Sequence, residues 1–140
     1  GVRVRVYERY PQRDLALVQV ERGSPYVTPV APRGTAIGAD LIMIGCVEGK
    51  NPSIHSVRFD KLETLPGGDR NIIFRPGPIE GQSGGPLFTP DGRLVGVVSG
   101  RSPDSVDANG FWEWGVARSM VSQRSWLGDS WRRTGRPESR

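Results

Sequence analysis

Gly81-Gln82-Ser83-Gly84-Gly85-Pro86-Leu87 decides the reading, together with the segment after it, Phe88-Thr89-Pro90-Asp91-Gly92-Arg93-Leu94-Val95-Gly96-Val97-Val98-Ser99. A serine set among so many glycines calls for a backbone that bends sharply and passes close to a neighbour. Such a bend can aim successive N–H groups into one concavity, the arrangement that a developing oxyanion requires. A Gly-rich β-turn whose serine bonds only its own backbone fits the same letters. Downstream, Leu87 to Thr89, Pro90-Asp91-Gly92 and Arg93 to Ser99 read as strand, tight turn and strand, with Gly92 where φ is positive.

Moving outward, short apolar runs recur between turn residues. Val2, Val4 and Val6 alternate with Arg3 and Arg5, which predicts a half-exposed strand. Leu15-Ala16-Leu17-Val18-Gln19-Val20 is apolar enough for a strand buried on both faces. Leu41 to Val47, Ile54 to Asp60, Asn71 to Arg75 and Phe111 to Arg118 are further strands, each bounded by Gly, Pro, Asn or Asp. Six or seven strands from residue 41 onward suggest a closed barrel. Ser119 is placed to cap a short final helix carrying Met120, Val121, Arg124 and Leu127. The pattern divides the chain into a strand pair at 1–22, a linker at 23–35, a barrel with its helix at 36–127, and a basic tail at 128–140.

Composition narrows the function classes. The 140 residues include Gly 19 and Pro 12, without repeats or low-complexity blocks, which suits an all-β chain rich in turns. No apolar stretch approaches the roughly 20 residues of a membrane-spanning helix. Cys46 is the single cysteine, so no intrachain disulfide and no thiolate zinc site can form. The net charge is +4, with every basic residue but Lys50 and Lys61 an Arg. These Arg residues are scattered over strands and turns, apart from Arg132, Arg133, Arg136 and Arg140 near the end. No nucleic-acid-binding motif organises them, and nucleic acid is not an expected partner.

The remaining residue types give little chemistry of their own. Asp104, Asp107 and Asn109 lack the charge count of a calcium loop and read as a solvated turn, so no metal and no cofactor are expected. Trp112, Trp114, Trp126 and Trp131 read as core and docking aromatics. An α/β-hydrolase elbow would need a helix after Ser83 and a downstream His, and neither follows.

With those blocks in view, the sequence resembles the chymotrypsin/trypsin-like serine proteases over roughly residues 2–122. Gly81 to Leu87 with Gly92 to Ser99 looks like that family's nucleophile block, and Arg13-Asp14-Leu15-Ala16-Leu17-Val18 like its catalytic-aspartate block. The resemblance implies an all-β, chymotrypsin-like double β-barrel, its second barrel complete and its first only partly present, with a short C-terminal helix. It implies a serine endopeptidase acting on peptide or protein substrates through an acyl-enzyme on Ser83. Asp14 would orient the general base, and the N–H groups of Gly81 and Ser83 would form the oxyanion hole. Alone, Asp14 also fits an ordinary turn acid before a strand.

The family places its basic His upstream of the Asp, and none precedes Asp14. His55, the one histidine, falls between Asp14 and Ser83 on a face shared with Val57 and Phe59, and reads as a packed or rim residue. The chain is therefore expected to be a fragment lacking the catalytic His and the first strands of its own barrel. The alternative is a catalytically inactive protease-fold module that binds peptides. Gln82 is uncharged, which argues against activation through an ion pair with a freed N-terminus. Together with the missing disulfides this points to the compact bacterial, high-temperature-requirement (HtrA)-type branch, and to an extracytoplasmic or secreted location over a cytoplasmic one.

By the same resemblance Gly77, Pro78, Ile79 and Glu80 would line one wall of the substrate pocket. Val98, Ser99, Gly100 and Arg101 would line another, and Gly115 a third. Gly77 offers no carboxylate at the pocket floor, so small or medium apolar side chains are the expected specificity, with Arg101 crowding or charging the rim.

Overall fold

Runs of β-branched and aromatic residues punctuated by Gly and Pro pair into antiparallel ladders throughout the chain. The computed structural model describes residues 3–23, 26–31, 35–102 and 106–133, apart from the side chains of 125 and 130–133. Asp104, the Trp131 side chain, Val2 and residues 134–140 lie outside the described set. Strands β1 (Val4–Tyr10) and β2 (Leu15–Val20) form a two-stranded sheet. A 3-10 turn over Pro11–Arg13 joins them.

Six further strands close a barrel. They are β3 (Asp40–Gly45), β4 (Ser53–Thr64), β5 (Arg70–Arg75), β6 (Pro86–Phe88), β7 (Leu94–Arg101) and β8 (Gly115–Ser119). Their order is β3-β4-β5-β8-β7-β6, with β6 returning to pair with β3 through Ile42↔Phe88 and Met43↔Leu87. Closure leaves this sheet without a free edge. The architecture is the all-β, chymotrypsin-like one, with one short α-helix among the described residues, α1 (Arg124–Arg133).

Alternation along the strands fills the barrel. Leu41 and Met43 of β3, Val57 and Phe59 of β4, Ile72 and Phe74 of β5, and Val98 of β7 all point inward and form one cluster with Leu87 and Ala117. Ala31, from the connection before β3, joins that cluster. Its N–H donates to Leu94 O at 2.9 Å, and Leu94 N–H donates to Pro29 O at 2.8 Å, so the connection is fastened to the barrel.

The β1–β2 sheet reaches the barrel by its turn end. Tyr10 stacks edge-on against Trp126 of α1, ring centroids 4.2 Å apart. Arg13 Nη1 donates to Gln123 Oε1 at 3.0 Å and lies 3.8 Å from Asp69. The buried Gln123 donates in turn to Asp69 Oδ1 (2.9 Å) and Ser119 O (3.2 Å), so both ends of its amide are satisfied.

Several expectations change. β2 is not buried on both faces: Val4, Val6, Val18 and Val20 share one face of the sheet and stand 46–60% exposed. Among the described residues nothing covers them. The last strand begins at Gly115 rather than Phe111, because the Trp112 carbonyl is taken by Gly77 N–H at 2.7 Å. Ser119 belongs to β8 and caps no helix. A 3-10 turn over Val121–Gln123 intervenes, and α1 continues through Arg133, into the stretch read as a tail.

The energetic centre is thus the barrel and not the hairpin. Met43→Ala, which empties a fully buried site, is expected to cost about 2–5 kcal/mol. Val6→Ala, on the exposed face, is expected to cost less than about 1 kcal/mol. Urea unfolding monitored by tryptophan fluorescence checks the contrast, and equal losses would place the core elsewhere.

Candidate active site

The turn before Ser83 is built from glycine outward. Gln82 N–H donates to Ile79 O at 3.1 Å, closing a β-turn in which Gly81 takes φ +94°. Positive φ at the third position is the mark of a type II turn, and glycine supplies it without strain. Glycine is also required by space, since a Cβ on Gly81 would collide with the Cys46 carbonyl and come within 2.8 Å of Glu48 N. Glu48 N–H donates to Glu80 O at 3.0 Å, holding the loop after β3 against this turn.

Gln82 is the internal staple. It is 1% exposed, and its Oε1 accepts from Ile79 N–H at 2.7 Å. The turn is therefore held by a neutral amide and not by an ion pair. Gly84 N–H then donates to Val98 O (2.7 Å) and Val98 N–H to Gly85 O (2.9 Å), which fastens the turn to β7. Ser83 itself stands exposed at the surface. Among the described residues neither Gly81 N–H nor Ser83 N–H donates to an internal acceptor, so both remain available to an external oxygen.

Asp14 arrives from the other side. It follows the 3-10 turn with φ +50° and ψ +42°, a left-handed conformation that Asp tolerates better than most residues, and its N–H donates to Pro11 O at 3.2 Å. Ser99 Oγ donates to Asp14 Oδ2 at 2.6 Å across 85 positions of sequence. The register of β7 against β8 shifts between Val98 and Gly100, so Ser99 sits at a bulge. A bulge bends a strand and re-aims a side chain, which is how a residue of β7 reaches the hairpin. The structure thus brings Asp14 to Ser99, and Ser99 is adjacent to the residue that clasps the Ser83 turn.

His55 is elsewhere engaged. Its Nε2 lies 3.1 Å from Ser53 Oγ, and its ring meets Phe111 edge-on at 4.9 Å. No hydrogen bond joins it to Asp14 or Ser83.

The stretches named as pocket walls are tied together through the segment that precedes Gly115. Gly77 N–H donates to Trp112 O (2.7 Å) and Trp112 N–H to Pro78 O (3.3 Å). Ser102 N–H donates to Trp114 O at 2.9 Å, and Trp114 N–H to Ser102 Oγ at 3.3 Å. Arg101 pairs with Gly115 across β7 and β8. The space beside Gly115 is filled by the Phe74 ring and Pro78, and a Cβ on Gly77 would lie 2.5 Å from Trp114 C. Sequence reasoning anticipated neither the Ser99–Asp14 bond nor the Gln82 staple. Their only local signals are a serine before Gly100 and an amide inside the glycine run.

The sequence profile of the trypsin-like peptidase domain matches residues 1–97. The chain belongs to that family. Among solved structures it is similar to the active form of the Rv3671c protease from M. tuberculosis, with TM-score 0.79 and 21% identity over 99% of this chain and 61% of that one. The serine endoprotease from Yersinia pestis gives TM-score 0.73 and 18% identity over 94% of this chain and 45% of that one. The HtrA-type protease AlgW with a decapeptide gives TM-score 0.72 and 17% identity over 89% and 39%. The chain therefore spans less than two thirds of the length of each of these structures. No curated protein matches the sequence.

Because the type II turn depends on Gly81, Gly81→Ala is expected to destabilise the protein by about 1–3 kcal/mol. Amide exchange should accelerate at Gln82 and Gly84. Unchanged exchange with an unchanged melting temperature would show that the turn does not need glycine.

Proposed function

We propose that this domain is the Ser83-bearing part of a serine endopeptidase. Ser83 Oγ attacks the carbonyl carbon of a substrate peptide bond and gives up its proton to an imidazole. The resulting oxyanion accepts hydrogen bonds from Gly81 and Ser83 N–H, whose orientation is set before substrate arrives. Collapse of the tetrahedral intermediate breaks the C–N bond, the amine leaves with the proton returned by the imidazolium, and water hydrolyses the acyl-enzyme by the reverse sequence. Asp14 orients that imidazole and stabilises its charged form, with Ser99 fixing the carboxylate.

The observation that carries this reading is the 2.6 Å Ser99–Asp14 bond, beside a glycine turn with unpartnered N–H groups. It ties an acid from the hairpin to the strand that holds the serine. His55 is committed to Ser53 and Phe111, so the base in this proposal is a histidine contributed by residues outside these 140. The uncovered valines of β1 and β2 support a first barrel completed by the same residues.

The second reading, a peptide-binding module without catalysis, is favoured by that one missing imidazole. In full-length protein, Ser83→Ala is expected to abolish casein cleavage and labelling by a fluorophosphonate probe, with the melting temperature unchanged within about 2 °C. Unaltered cleavage would remove Ser83 as nucleophile. Wild-type protein that binds peptides yet resists the probe would establish the binding module.

A further inference from the structure

Among the described residues Arg101 has no carboxylate partner, and its guanidinium is held over an aromatic ring. Resting on the endopeptidase reading above, we infer that Arg101 selects peptides carrying Asp or Glu at the residue whose carbonyl Ser83 attacks. Its guanidinium lies 3.6 Å from the centroid of the Trp112 ring. Among the described residues its polar contact is a 3.4 Å donation from Nη1 to Ser102 O. Among the described residues no carboxylate lies within ion-pair distance of it. Arg75, by contrast, is saturated by Asp60 (3.4 Å) and Glu113 (3.1 Å).

Position makes that free charge consequential. Arg101 is the last residue of β7, two after Ser99, and faces Gly115 across the ladder. A Cβ on Gly115 would meet the Phe74 ring and Pro78, and one on Gly77 the Trp114 backbone, so both glycines are closely packed. A side chain entering between these walls finds no deep floor to recognise it, so discrimination moves to the rim. There Trp112 holds the guanidinium plane by cation–π contact while most of its N–H donors remain open to a carboxylate. A planar fork held in this way matches an acidic side chain in bidentate geometry. The expectation of a small apolar residue came from the missing carboxylate at Gly77. A rim cation above a filled floor favours an acidic one.

The test uses full-length protein carrying Ser83→Ala and fluorescent peptide amides that differ at one residue, Glu, Asp, Gln or Lys, with binding read by anisotropy. Glu or Asp is expected to bind about ten-fold tighter than Gln. That advantage should shrink between about 50 mM and about 500 mM salt. Arg101→Gln should erase the preference, and Arg101→Glu should transfer it to Lys. The salt dependence with Arg101 intact serves as the check that needs no folded Arg101 variant. Equal binding of Glu and Gln, with the fluorophosphonate probe still labelling wild-type Ser83, would overturn the role of Arg101 and leave the protease reading standing. Failure of every peptide to bind, with no labelling, would overturn both.

Discussion

The hydrogen bond from Ser99 to Asp14 is the constraint on which the site depends, because one strand must satisfy three neighbours at once. β7 pairs with β6 on one side and β8 on the other. At Val98 it also exchanges backbone bonds with Gly84 and Gly85 of the serine turn. At the next residue it must reach the β1–β2 hairpin. A regular strand could not do both, since successive side chains alternate faces and the ladder fixes their direction. The register shift between Val98 and Gly100 resolves the conflict by freeing Ser99 to turn aside.

The rest of the site is close packing that only glycine allows. Gly81 lies against Cys46 and Glu48, Gly85 against Ile44, and Gly77 against Trp114. Each contact sets a backbone where a side chain would keep it away, and together they position the serine turn on the closed barrel. Gln82 completes the turn from beneath, its buried amide bonding Ile79 N–H. A neutral staple does not titrate, so the geometry around Ser83 carries no built-in dependence on a terminal amine. The hairpin is held differently, by Tyr10 on Trp126 and by the Arg13, Gln123 and Asp69 cluster. These contacts lie at the end that carries Asp14, so the acid is anchored while the four valines stay exposed.

What the sequence made legible follows from the range of each interaction. The hairpin at Pro90-Asp91-Gly92 could be read because turn chemistry is local, and Gly92 does take φ +86°. The inward alternation of Val57 and Phe59 was equally plain. The fate of Val18 and Val20 was not, because burial depends on what packs over a strand and not on its own pattern. Phe111 to Trp114 carries strand-like letters, yet a carbonyl claimed by Gly77 diverts it into a loop. The Ser99–Asp14 pair spans 85 positions. No local rule reaches that far, and the bulge that makes it possible leaves no mark beyond a serine next to a glycine.

A catalytic protease and a silent peptide binder require nearly the same structure here. Open N–H groups at Gly81 and Ser83 would hold a peptide carbonyl in either case, and Asp14 would be fixed by Ser99 in either case. What separates them is a single imidazole that takes one proton from Ser83. Without it the serine hydroxyl remains a weak nucleophile, however well the oxyanion position is prepared. On the proposed reading the open N–H groups mark where a substrate carbonyl would sit, and the chemistry falls to a side chain that meets Asp14 from outside the barrel. On that reading the bond from the bulged Ser99 anchors Asp14 at the end of its 3-10 turn, where an acid that orients a base would have to stand.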